Sequence, residues 1–133
     1  MGVFNPYAQY QKVMYNTADQ GSLILMTYDA AIRFCQSGKD CINSDDIVSK
    51  GRWLSKAFDC VAELRKSLRP DAGGDIAKHL NDAYAFVSRQ ITLANVNSNT
   101  EPLDNALLVL GNLRGAWKEI IQKERKANPG SIG

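Results

Sequence analysis

The 133-residue chain is 44% hydrophobic and 23% charged, the balance of one globular domain able to bury a core without staples. Its 16 basic and 14 acidic residues leave a net charge of +2, which excludes a nucleic-acid binder with a dominant basic face. Cys35, Cys41 and Cys60 form an odd, scattered set with a single histidine, which excludes a disulfide framework and a tightly spaced zinc site and suits free thiols in a reducing compartment.

At the start, Met1-Gly2 opens a myristoylation-like string, but Pro6 stands where Ser or Thr is wanted. No charged stretch leads into an apolar run, so no secretory signal is expected. No apolar run approaches the ~18 residues of a membrane span, so no membrane insertion is expected. Tyr7, Tyr10, Val13 and Met14 recur at steps of three and four, which predicts a short helical or mobile arm over residues 1–18.

The first long helix is expected from Asp19, as N-cap, to about Ile42, with Ile24, Tyr28, Ala31 and Cys35 in its core column. Its stretch LILMTYDAAIRF, residues 23–34, spreads apolar side chains over an arc of roughly 200°, where one-sided burial needs about 100°. Either a wide core face with coverage by the N-terminal arm or a surface kept for another chain accounts for the excess. Asp29 and Arg33 are expected to pair at i,i+4 on the far side.

Ser44-Asp45-Asp46 marks the next helix start, with acids favourable against the dipole. That helix is expected to reach Leu68, with Ile47, Gly51, Leu54, Phe58, Val61 and Leu68 in one column. Arg69-Pro70-Asp71-Ala72-Gly73-Gly74 breaks it. A third helix carries Ile76, Leu80, Tyr84, Val87, Ile91 and Ala94, and a polar turn runs from Asn95 to Pro102. The fourth carries Leu103, Leu107, Leu110, Trp117 and Ile121 and ends before Pro129. Short connections make neighbouring helices antiparallel, so the expected fold is an all-α, up-down-up-down four-helix bundle over residues 19–127. Residues 128–133 read as a flexible tail.

No arrangement of side chains points to catalysis, so no catalytic residue, cofactor or metal ligand is assigned and the chain reads as a non-enzyme. Gly73-Gly74 lacks the surroundings of a phosphate loop. Lys118, Lys123, Arg125 and Lys126 alternate with Glu119 and Glu124, as on a solvated helix end. Trp53 and Trp117 have no accompanying basic stripe and read as packing anchors. A histidine phosphotransfer domain, also a four-helix bundle, is the rival from another class and would use His79. However, Leu80-Asn81-Asp82-Ala83 follows, without the Lys and Gly such a site uses and with an acid that repels phosphate. A purely structural helical subunit is the third reading.

The residues also carry a resemblance. LILMTYDAAIRF is similar to the Leu-Ile-x-Met-Leu-Tyr-Asp-Gly-Ala-Ile-Arg-Phe signature of the FliS family of flagellar secretion chaperones. Tyr7-Ala8-Gln9, Thr17-Ala18, Lys50-Gly51, Gly73-Gly74-Asp75-Ile76-Ala77-Lys78-His79-Leu80, Tyr84, Leu93-Ala94-Asn95 and Leu113-Arg114-Gly115-Ala116-Trp117 follow in family order. Departures are Thr27 for Leu, Ala30 for Gly, Asp19-Gln20 for Ser-Pro, and Leu68-Arg69 for Leu-Asn.

The resemblance implies an antiparallel helical bundle in the bacterial cytosol. It would bind the disordered C-terminal segment of flagellin, block premature polymerisation and keep the client competent for type III export without ATP. Partners implied are that segment and the flagellar export gate when client is bound; the sequence leaves open whether the client-free chain is a homodimer. Recognition would be helix-in-groove, with coupled folding that buries on the order of 1,000–3,000 Å². The contact residues implied are Met26 and Ile32 on the first helix, Val61 and Leu64 on the second, and Tyr84, Ile91 and Ala94 on the third. Asn95 would hydrogen-bond client backbone, and Tyr7 and Tyr10 would form an arm over the empty groove.

Overall fold

A computed structural model describes residues 20–68 and 70–127. The arm 1–18, its Tyr7 and Tyr10, the Asp19 cap, and the tail 128–133 lie outside the described residues. Four helices follow one another: α1 Gln20–Asn43, α2 Ile47–Lys66, α3 Pro70–Asn97 and α4 Glu101–Ala127. Among the described residues there is no strand.

Local chemistry sets the boundaries. Asp46 caps α2, its carboxylate accepting from the Ser49 amide at 3.2 Å. Asp45 takes a left-handed φ of 57° to turn the chain between α1 and α2. Gly74, at φ 56° and ψ −129°, breaks the helical path near the start of α3, a conformation that suits a residue without a Cβ. Thr100 O accepts from the Asp104 amide, and the Asn99 side chain accepts from the Glu101 amide, which closes the first turn of α4.

α1 packs beside α2 and α4, and α3 packs beside the same two, so α1 and α3 face each other across the bundle diagonal. The core runs down the middle through Tyr28, Ala31 and Cys35, through Leu54, Ala57 and Val61, through Tyr84, Val87 and Ile91, and through Leu103, Ala106 and Leu110. On the α1–α2 seam, Gly38 lets Leu54 approach closely, and Phe34 stacks on Trp53 at 5.7 Å with Lys56 Nζ above the indole at 4.9 Å.

Much of the wide arc of α1 is buried. Leu23, Thr27, Tyr28, Ala30, Ala31 and Phe34 are buried, Ile24 and Ile32 are half-buried against the core, and Leu25 and Met26 are half-buried. Arg33 alone in that stretch is exposed. Thr27 enters the core because its hydroxyl donates back to Leu23 O at 2.8 Å.

Some expectations need correction. Asp29 pairs with Arg114 of α4 rather than with Arg33, whose guanidinium lies over the Phe34 ring. Ile47, Phe58 and Ile76 are exposed, not core. The true core column of α2 is Leu54, Ala57, Val61 and Leu64, with Lys50 at its head. That column is rotated away from Phe58 by well over half a right angle, by helix geometry. The turn after α3 is also shorter than expected, because helix persists to Asn97.

Candidate functional site

The antiparallel seam of α2 and α3 opens outward into a groove. At one end Lys50 Nζ donates to Asn95 O at 2.9 Å and to Ser98 Oγ at 2.7 Å. Toward the other, Arg65 Nε donates to Asn81 Oδ1 at 2.6 Å. Between these ties lies a cleft of about 200 Å³ lined by Leu54, Ser55 and Phe58 from α2 and by Ile91, Thr92 and Asn95 from α3.

Buried Leu54 and Ile91 form the floor, anchored in the core below. Phe58 is 43% exposed and stands as an apolar wall. The Thr92 hydroxyl donates back to Ser88 O at 3.0 Å, so its polarity is spent within α3. Gly51, one turn before Ser55, has open space where a Cβ would stand. Val48 and Val96 continue the exposed apolar surface near the Lys50 end. Ile76, Phe86 and Leu93 on α3 and Leu108 and Ile120 on α4 are also exposed apolar side chains.

Of the site residues expected from sequence, Ile91 and Asn95 line this groove. Val61, Leu64, Tyr84 and Ala94 sit in the core, where they support the helices from inside. Met26 and Ile32 are half-buried on α1 and do not line it. Phe58, Ser55 and Thr92 escaped the sequence reading. The step of four residues from Leu54 fits a helical column and so places Phe58 in the core on sequence alone. The signal that could have moved it outward is the small apolar pair Ala57 and Cys60, both buried, which pulls the centre of the column to their side.

The titratable groups give the site no reaction chemistry. Burial pushes the Cys35 and Cys60 thiols up to about 12, so both stay protonated and poorly nucleophilic at neutral pH. Burial, then the proximity of Tyr84, raises the Tyr28 phenol; burial also raises Tyr84, against hydrogen bonds from Tyr28 and Trp117 that lower it. His79 is exposed on α3. Among the described residues no three His, Cys, Asp or Glu side chains gather as metal ligands, and no helix is long and apolar enough to cross a membrane. What the groove offers is apolar contact with a few polar groups at one end, the chemistry of segment recognition.

Comparison with known proteins gives the same direction. The family model described as flagellar protein FliS matches residues 3–124. The chain is 32% identical to the flagellar secretion chaperone FliS of Bacillus subtilis, covering 100% of this chain and 98% of that one. It is 30% identical to the protein of that name from Vibrio cholerae, covering 93% and 94%. A crystal structure described as a flagellar chaperone from bacteria superposes with a TM-score of 0.74 at 21% identity, covering 87% of this chain and 97% of the other, and shares the bundle fold.

Proposed function

The chain belongs to the FliS family, a family of chaperones rather than enzymes, and from that premise we propose that it is a cytosolic export chaperone for flagellin. The client is the disordered C-terminal segment of flagellin. Seated on the bundle it folds, cannot nucleate polymerisation, and is handed to the flagellar export gate. The reading rests on the α2–α3 groove, which sets an exposed Phe58 above a buried floor of Leu54 and Ile91. An aromatic wall over a rigid apolar floor is what an amphipathic segment needs to anchor side chains spaced by helical turns. Folding the client costs several kcal/mol, about 2–5 on typical terms, so the neighbouring exposed apolar residues add contact area that one cleft alone does not supply.

In this reading Ile91 and Asn95 touch the client directly, while Met26, Ile32, Val61, Leu64, Tyr84 and Ala94 shape the helices that carry the contact surface. The client-free chain pairs with a second copy. Calorimetric titration with a peptide from the C-terminal segment of flagellin of the same organism tests the reading. One-to-one binding with a negative heat-capacity change supports it, and absence of binding to a monomeric sample rejects it.

A further inference from the structure

Lys50 is 6% exposed, yet among the described residues no carboxylate lies within ion-pairing distance of it. Lysine is almost never this buried without a partner, because its ammonium loses hydration. Here it donates to two neutral acceptors, Asn95 O and Ser98 Oγ, both at the end of α3. Those acceptors lie where a helix leaves its carbonyls without intrahelical partners and where the dipole favours a cation.

The end of α3 depends on help of this kind. Ser98 takes a left-handed φ of 49°, uncommon for a residue with a Cβ, and the Asn99 amide closes back onto Ala94 O at 3.3 Å. Asn95 lies inside this closing turn and lines the groove. The bond from Lys50 therefore fixes the backbone of the very residue that presents the polar group at the groove end. It also fastens that turn to α2, the opposite wall.

We propose that Lys50 is a positioning residue for client binding: by holding Asn95 O and Ser98 Oγ, it sets the Asn95 side chain at the mouth of the α2–α3 groove. The proposal rests on the client reading given above. Lys50 itself touches no client, so its effect on affinity passes through Asn95.

The test is a double-mutant cycle on the full chain, titrated with the flagellin C-terminal peptide. Lys50→Met and Asn95→Ala should each weaken binding about tenfold, the scale of one hydrogen bond, and the double variant no further than either alone. Should Lys50→Met not fold, Ser98→Ala removes one acceptor and leaves the lysine. It should weaken binding about threefold, and that loss should vanish in the Asn95→Ala background. Losses that multiply, or a Lys50→Met chain that binds as wild type, overturn the proposal while leaving the client reading intact. A wild-type chain that does not bind the peptide overturns the client reading, and this proposal with it.

Discussion

The hydroxyls of Tyr28 and Tyr84 meet at 2.5 Å in the middle of the bundle, from helices that face each other across its diagonal. Both rings are buried, with centroids 6.3 Å apart and planes tilted by 48°. One hydroxyl donates to the other and Trp117 reaches both, so a polar pair in the core fixes the relation of α1 to α3 without the side-by-side packing that joins neighbours.

Removing one hydroxyl takes from the other its tyrosine partner and leaves it Trp117 alone. Tyr28→Phe or Tyr84→Phe should each cost about 1–2 kcal/mol, and the double variant less than the sum, because no hydroxyl then remains without its partner. Urea unfolding of the three variants measures the coupling; additive losses would mean that the two hydroxyls act independently.

The same burial predicts an alkaline limit. Cys35 and Cys60 rise from 9.0 to about 12, and the two core phenols rise above 10.0. These groups are neutral when protonated, so the fold retains protons that the unfolded chain releases as pH climbs past 9. Stability from them is intact below pH 9 and falls as pH rises through 9 to 12, since the unfolded state then binds fewer protons than the native. Urea midpoints should fall steadily across that window. In native protein a thiol reagent should label half-exposed Cys41 first, and Cys35 and Cys60 only on unfolding.

Two glycines on helices should respond in opposite senses. A Cβ at Gly38 would stand 2.3 Å from Leu54 Cδ2 and 2.8 Å from its Cγ, and Leu54 is itself buried and cannot swing away. Gly38→Ala should therefore destabilise by about 1–3 kcal/mol despite the better helix former. At Gly111 nothing lies within 4 Å, so Gly111→Ala should stabilise by about 0.5–1 kcal/mol. Thermal melts of the pair would show both signs.

Phe58 should separate binding from folding. It is 43% exposed, so Phe58→Ser should leave the fold intact at a cost of about 1–2 kcal/mol, the worth of its buried half. The same change should weaken the flagellin peptide at least tenfold if the groove holds it, on the scale of an interface anchor. Val61→Ala, deep in the core, should also cost about 1–2 kcal/mol of stability, as loss of two buried methyl groups does. Calorimetry and urea unfolding on both variants distinguish the two roles; equal affinity for Phe58→Ser and wild type would move the binding surface elsewhere.

The ion pairs between α1 and α4 should matter little. Arg114 with Asp29, and Lys39 with Asp104, are partly exposed, and water screens them. Asp104→Asn should cost about 0.2–1 kcal/mol, less at high salt, as read from denaturation at two ionic strengths.

Period, capping and family motifs are properties of the chain, and they determined much about this protein. The 3.6-residue recurrence gave four helices, Asp46 marked the start of α2, and LILMTYDAAIRF with the later motifs pointed to the family, whereas α3 starts at Pro70 rather than after the glycines. Which flank of each helix meets a neighbour was decided only in three dimensions. A helical period places residues on a face but leaves the rotation of that face uncertain by some tens of degrees, and apolar residues at its margin can fall on either side. Leu54 and Phe58 are one turn apart, yet one is the floor of the groove and the other its exposed wall. Lys50 meets the end of α3 only in the folded bundle, and Tyr28 and Tyr84 read as separate core rings until the diagonal brings their hydroxyls together. These relations join residues distant in the chain, and their energies exist only when packing excludes water from both partners.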